Sequence, residues 1–340
     1  MKIVYNTILF TLLFLATSCD HSEKIDDIKL EISQNIFRNI DNNGGKITVA
    51  ITSNSEWIIA NSADWCIPDK YQGEGNDILT IKILANTKHA TKDKNGTTLP
   101  EPGVERVPFN ELPIDCEKFM RDNTGKYTSL LWEPNEYINI MVYPFTDSQI
   151  LGISTFPYSL KDFFLEGTQQ VSASWITLEN LSFPYCISIN SSYIYEQSTD
   201  ERINQNDAAI TLAHELGHYL GLRHVFSEGG TTSMCTDTDY CKDTPSYNRS
   251  EYEQWLNNLD KQNKYQLKDL AKRYSCEKGE YEAHNIMDYA YCFYNEITLE
   301  QRKRIRHILN YSPLIPGPKE SRIDTRGVQG RLNLPICIMK

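Results

Sequence analysis

Apolar residues recur at helical spacing through Ala208, Ala209, Ile210, Leu212, Ala213 and Leu216, behind Asn206-Asp207, which can cap the first turn. The pattern predicts a helix that ends at Gly221, because a residue without Cβ takes the left-handed conformation at little steric cost. A second helix is predicted behind the capping box Thr298-x-x-Gln301, with Ile305, Ile308 and Leu309 on its buried side. Pro313, Pro316 and Pro318 cannot continue it. A third helix is expected through Trp255, Leu256 and Leu259, capped by Ser250-x-x-Glu253. Elsewhere the apolar period is that of strands: Lys46 to Thr52, Leu79 to Ile83, Tyr137 to Phe145, Leu151 to Pro157 and Cys186 to Asn190.

These patterns divide the chain. The first 18 residues read as a lipoprotein signal peptide: Lys2 precedes an apolar run from Ile3 to Ala16, too short to span a bilayer comfortably. Leu15-Ala16-Thr17-Ser18-Cys19 looks like a bacterial lipobox, which makes Cys19 the expected lipidation site and 19–27 a tether. Short strands with turns between them over 28–92 predict a small all-β sandwich. A polar linker follows over 93–112. Residues 113–318 are expected to form an α+β domain, its sheet stacked on the first helix, with a C-terminal tail over 319–340.

At 340 residues the chain has room for two domains. Thirty-four basic against 45 acidic residues give a net charge of −11, which argues against nucleic acid or an anionic membrane surface as partner. The densest basic run, Arg302-Lys303-Arg304-Ile305-Arg306-His307, falls within the second helix and is expected to be a solvated face. Membrane attachment would then rest on the lipid alone.

The chemistry is concentrated in His214-Glu215-Leu216-Gly217-His218-Tyr219-Leu220-Gly221-Leu222-Arg223-His224. At roughly 100° per residue, His214 and His218 stand one turn apart on one helix face, where two imidazoles can close on a single Zn²⁺. Glu215 points to the side, placed to act on a water without ligating the metal. The turn at Gly221 returns His224 as a third ligand. Three histidines leave the fourth position open, the mark of a catalytic rather than a structural zinc.

This His-Glu-x-x-His-x-x-Gly-x-x-His run is the signature of the metzincin zinc proteases, and the chain resembles that clan. Leu151-Gly152-x-x-Thr155-Phe156-Pro157 behind a strand, and Asp239-Tyr240-x-x-Asp243-Thr244-Pro245, resemble its pappalysin and cytophagalysin branch. The resemblance implies a methionine turn at Asn285-Ile286-Met287-Asp288-Tyr289, with Met287 supporting the histidines from beneath. It makes Tyr289 a candidate to hydrogen-bond the oxyanion. It also implies that Asp239 and Thr244 could lend oxygens to a Ca²⁺, although an Asx-type turn ended by proline reads equally well there. Some relatives carry an acidic residue just before the cysteine that follows the methionine turn and favour basic side chains at the cleavage site. Here Tyr291 precedes Cys292, so that preference does not transfer. His284 is not needed as a ligand.

Gly44-Gly45, Ser53-Asn54-x-x-Trp57 and Trp65 resemble the BACON domain, an immunoglobulin-like module of Bacteroidetes surface proteins. Such domains are discussed as glycan or mucin binders, but Trp57 and Trp65 fit core positions of a sandwich better, which favours a spacer. Lipobox, sandwich and protease together resemble the zinc-dependent metalloproteinase lipoproteins of Bacteroides.

Nine cysteines suit an exported protein. Setting Cys19 aside, Cys235, Cys241, Cys276 and Cys292 flank the metal region and could form two bridges. Cys235 with Cys276 and Cys241 with Cys292 is the expected pairing, though spacing does not decide it. Cys66, Cys116, Cys186 and Cys337 read in part as buried free thiols. Cys66 or Cys116 could in principle ligate the zinc of a latent form, but neither lies in a recognisable switch motif.

The expectation is therefore a zinc endopeptidase acting on protein or peptide substrates, exported and lipid-anchored to a bacterial outer membrane, facing periplasm or exterior. Glu215 would take the proton of a zinc-activated water and return it to the leaving amine. The alternative is a surface adhesin or glycan-binding lipoprotein with a vestigial or latent metal domain.

Overall fold

The computed structural model describes residues 28–33, 44–59, 66–84, 91–173, 175–199, 204–226, 237–259, 263, 265–275, 277, 279–289, 291–320 and 327–340. The expected leader, the lipidation site Cys19, the tether, Trp65, Cys235 and Cys276 lie outside them. Among the described residues, no helix is long and apolar enough to cross a membrane. The chain separates into two units, Met1–Arg106 and Val107–Lys340, and the division falls inside the expected linker.

In the first unit the strands are β1 (Leu30–Ile32), β2 (Gly45–Ser53), β3 (Glu56–Ile58), β4 (Cys66–Pro68), β5 (Gln72–Glu74) and β6 (Asp77–Ile83). Antiparallel pairing gives a sheet of order β1-β2-β6-β4, and β3 pairs separately with β5. The period of two is why these segments are strands: Val49 and Ile51 of β2 and Leu79, Ile81 and Ile83 of β6 are buried, while Thr48, Ala50 and Lys82 face out. Trp57 joins that core at 2 % exposure, its indole N–H donating to the Gly75 carbonyl at 3.1 Å. Each fully buried side chain of this size contributes roughly 1.5–3 kcal/mol.

The second unit runs α1 (Cys116–Met120), β7 (Ile140–Tyr143), β8 (Gly152–Thr155), β9 (Tyr158–Leu160), β10 (Gln169–Val171), β11 (Ile187–Asn190) and α2 (Ala208–Tyr219). It continues with α3 (Arg249–Asn257), α4 (Leu267–Leu270), β12 (Lys272–Ser275), β13 (Gly279–Glu282), α5 (Leu299–Tyr311) and β14 (Ile338–Met339). Its main sheet has the order β14-β8-β11-β7; β11 is parallel to β7 and antiparallel to β8, and β14 is antiparallel to β8. Helix α2 lies against β8 and β11. Every residue of β8 and β11 is consequently buried, which explains their short uniform runs in place of an in-out alternation. Ile153, Ile187, Ile189 and Tyr219 fill the helix–sheet interface.

Several expectations change in three dimensions. Helix α3 is capped by Asn248, whose side chain accepts from the Glu251 N–H at 3.2 Å, and not by Ser250. Helix α5 has the expected Thr298–Gln301 capping box, but its basic run is not uniformly solvated. Arg304 is buried and donates to the carbonyls of Gly221 and Glu166, at 3.2 and 3.0 Å, while Leu309 faces solvent. The expected Cys241–Cys292 bridge is not formed. Both are buried free thiols, turned toward the carbonyls of Asp239 and Asn285, and burial pushes each up to about 12. Cys116 and Cys186 are buried free thiols as well, Cys337 is a half-buried one, and Cys66 is buried in the core of the first unit.

Candidate metal centre

Helix α2 begins where Asp207 accepts from the N–H groups of Ala209 and Ile210, at 2.8 and 3.2 Å. It ends at Leu220, after which Gly221 takes a φ of +89°. That turn brings His224 back over the helix. The Nε2 atoms of His214, His218 and His224 converge, at 3.1 Å (His214–His218), 3.0 Å (His218–His224) and 3.2 Å (His214–His224). All three rings are buried. A side chain at Gly221 would be strained by the backbone, and its Cβ would stand 2.7 Å from Ile308 Cγ1. Gly221→Ala is therefore expected to cost about 1–3 kcal/mol and to weaken metal retention, read by thermal unfolding and metal titration. An unchanged Tm would show that the turn tolerates a side chain.

The tautomers follow from the partners. A carbonyl can only accept, so His214 Nδ1–H donates to the Ile286 carbonyl at 2.8 Å and His218 Nδ1–H to the Leu222 carbonyl at 2.8 Å. This leaves Nε2 of both rings as a lone pair aimed at the shared point. Burial first, and then the neighbouring imidazoles, hold His218 and His224 well below the usual imidazole range, so they stay neutral. Nitrogens about 2.0–2.1 Å from one Zn²⁺ at near-tetrahedral angles stand roughly 3.3 Å apart. Convergent neutral donors at this spacing fit a zinc ion. Among the described residues they form the one group of three or more histidine, cysteine or acidic side chains close enough to hold a metal, and it contains no cysteine.

Glu215 is 3 % exposed, and its Oε2 has no hydrogen-bond partner among the described residues. Burial raises its carboxyl well above the usual range. Its side chain packs directly on β8, where a Cβ at Gly152 would lie 2.6 Å from Glu215 Cγ. A buried carboxylate with an unused oxygen beside a metal-ligand cluster is poised to exchange a proton.

Beneath the cluster, Met287 is fully buried, and its Sδ fills the space beside Gly217 between the two helical histidines. The turn that carries it is anchored from three directions. Asn285 exchanges two hydrogen bonds with Gln301 of the α5 capping box, at 2.8 and 3.0 Å, and accepts from the Met287 N–H at 3.0 Å. Asp288 accepts from the Tyr247 hydroxyl at 2.5 Å and faces Arg273 at 3.4 Å, both ions being fully buried. The third link is the Ile286 carbonyl on His214. Tyr289 sets its ring 4.5 Å from that of His224 and 5.5 Å from that of His214, with the Arg249 guanidinium 4.5 Å from its centroid.

The structure brings His214, His218, His224, Glu215, Met287 and Tyr289 together. Asp239 and Thr244 do not join them. Thr244 Oγ1 donates to Asp239 Oδ2 at 2.7 Å and Asp239 Oδ1 accepts from the Cys241 N–H, an Asx-type turn whose burial pushes the carboxyl up to about 7. His284 stacks on Phe293 and pairs with Asn295, away from the cluster. Sequence reasoning missed Asn285–Gln301 and Arg273–Asp288, because each joins residues distant in the chain. Gln301 carried a signal for its cap alone.

A three-histidine centre on a helix beneath a mixed sheet, with a buried carboxylate beside it, is the arrangement of metal-dependent peptidases. Residues 174–310 match the peptidase family described as pregnancy-associated plasma protein-A, and residues 55–91 match the BACON family. Residues 174–310 are thus similar to a pappalysin-type metalloprotease domain, and the stretch ahead of them is similar to a BACON domain. An extracellular metalloprotease of Arthroderma otae is 31 % identical over 188 residues, 54 % of this chain and 55 % of its own length. The extracellular metalloprotease of Arthroderma benhamiae is 30 % identical over the same span. The chain therefore matches about half the length of these relatives. A xyloglucan-specific endo-β-1,4-glucanase of Bacteroides ovatus is 29 % identical over 133 residues, 25 % of its length. Among solved structures, mature mirolysin of Tannerella forsythia in complex with a cleaved peptide is similar, at 23 % identity and a TM-score of 0.38, with 64 % of this chain and 67 % of that one covered.

Proposed function

We propose that the chain is an exported zinc-dependent endopeptidase in which His214, His218 and His224 hold the metal. The observation that carries this reading is the convergence of three buried imidazole Nε2 atoms beside a buried carboxylate whose Oε2 has no hydrogen-bond partner among the described residues. Zinc bound there would acidify a water and polarise the scissile carbonyl. Glu215, whose proton affinity burial raises, takes the proton of the attacking water at Oε2 and returns it to the leaving amine. Tyr289 donates its hydroxyl to the carbonyl oxygen as negative charge develops on it. Met287 and the Ile286 carbonyl keep the histidines oriented.

The names of the fungal relatives support export, and the leader sequence with Cys19 supports a lipid anchor on an outer membrane. The first unit, read as an immunoglobulin-like sandwich, acts as a spacer, since Trp57 is committed to its core. The test is cleavage of a diverse peptide library by the zinc-loaded full chain. Cleavage that stops with a chelator and returns with added zinc is the expected result. Polymer binding without any cleavage would favour an adhesin instead.

A further inference from the structure

The segment Leu332–Lys340 lies beyond the residues that match the peptidase family, yet its strand β14 pairs with β8 and its last residue reaches Tyr289 beside the candidate metal centre. In the sheet order β14-β8-β11-β7, strand β8 would be an edge were it not for β14. Ile338 stands opposite Thr155 and Met339 opposite Ser154, and the Phe156 N–H donates to the Cys337 carbonyl at 2.8 Å. One residue further, the Tyr289 hydroxyl donates to the carbonyl of Lys340, and the Lys340 ammonium pairs with Glu117 of α1. On its other flank β8 touches Glu215. An extended segment is thus laid along the strand beside the candidate centre, with a carbonyl on the tyrosine that would face the scissile carbonyl.

Addition of a peptide to a sheet edge draws affinity from main-chain bonds and specificity from pockets for particular side chains. Glu117, which pairs with Lys340, also lines a cleft of about 600 Å³ with Asp115, Thr146 and Asp147, Lys118 and Arg121 being on its wall. Lys118 is engaged by Asp115 at 3.3 Å, which leaves Glu117 to meet the incoming ammonium.

We propose that Glu117 is a specificity-determining residue, receiving the Lys or Arg side chain of the substrate residue whose carbonyl meets Tyr289. Peptides with a basic residue immediately before the scissile bond are then preferred, and Cys337–Lys340 is an internal strand held in the same subsite. This rests on the endopeptidase reading for its substrate and on the Lys340–Glu117 pair for its geometry. The acidic group is on α1, far in sequence from Tyr291, the position where some relatives place theirs.

Two measurements on the full chain test it. The first uses peptides that differ only at the residue before the cleaved bond, carrying Lys, Arg, Gln or Glu. Zinc-loaded wild type is expected to cut the Lys and Arg peptides about three- to fivefold faster in kcat/KM than the Gln peptide, the scale of a partly exposed ion pair. E117Q should erase the difference and E117K should favour Glu. An unaltered preference in E117K overturns the proposal. The second, independent of turnover, is hydrogen exchange at the Phe156 amide. Exchange should quicken in E117Q and in K340Q and slow again in the swap E117K/K340E; unchanged exchange in both single variants overturns the subsite. If no peptide of any kind is cut while exchange responds as expected, the endopeptidase reading fails and the subsite stands as a peptide-binding one.

Discussion

Glu215→Gln is expected to retain zinc fully and to lose about 10²–10⁴-fold in kcat, the usual contribution of a positioned proton-transfer group. The reason is geometric. Glu215 is next to His214 in sequence, but its side chain leaves the helix toward β8 and does not enter the cluster of Nε2 atoms. The amide preserves volume and packing against Gly152 while removing the basic oxygen. Metal content by atomic absorption and single-turnover cleavage would be measured together. Full turnover in a zinc-replete variant would remove Glu215 from the mechanism, whereas loss of zinc would mean that the side chain helps to build the metal site.

The second large effect is structural. Asp288→Ala is expected to destabilise the second unit by about 3–5 kcal/mol, because it strands a buried guanidinium. Arg273 and Asp288 are both essentially inaccessible. Arg273 also lies 3.7 Å from the Tyr252 ring centroid and donates to the carbonyls of Leu270 and Tyr289, so it cannot swing out to water without unravelling α4 and the methionine turn. For a unit of this size the loss corresponds to a fall in Tm of roughly 6–20 °C. Zinc affinity should fall as well, by about 10–100-fold, since the turn that holds Met287 and the Ile286 carbonyl loses an anchor. Urea unfolding and competitive metal titration check the two halves. Normal stability would mean that the ion pair is no net support for the turn.

The candidate metal centre was legible in the sequence because its parts are local. His214 and His218 share a face through the helical period, Asp207 caps that helix by its own side chain, and Gly221 supplies the one conformation that returns His224. The strands of the first unit and the turn bearing Met287 were legible for similar reasons: alternation in one case, a short fixed motif in the other. Eleven residues and the helical period therefore determine where a metal can sit.

The tertiary structure decided everything that depends on chain-distant partners. His214 is held by a carbonyl 72 residues away, and Gln301 reaches Asn285 across 16 residues that include a turn and a cap. Arg304 looked like solvated charge but is buried, because the carbonyl of Gly221, freed where α2 ends, needs a donor. Cys241 and Cys292 looked like bridge partners, yet each is buried against a backbone carbonyl of its own. The tail over 319–340 was assigned no element from sequence because two strand residues carry no period; only its pairing with β8 and the Lys340–Glu117 contact, 223 residues apart, give it a place in the fold. Local periodicity fixes which face of an element carries the chemistry. Which faces meet is set by packing and by the requirement that buried polar groups find partners, and no short stretch of sequence contains both members of such a pair.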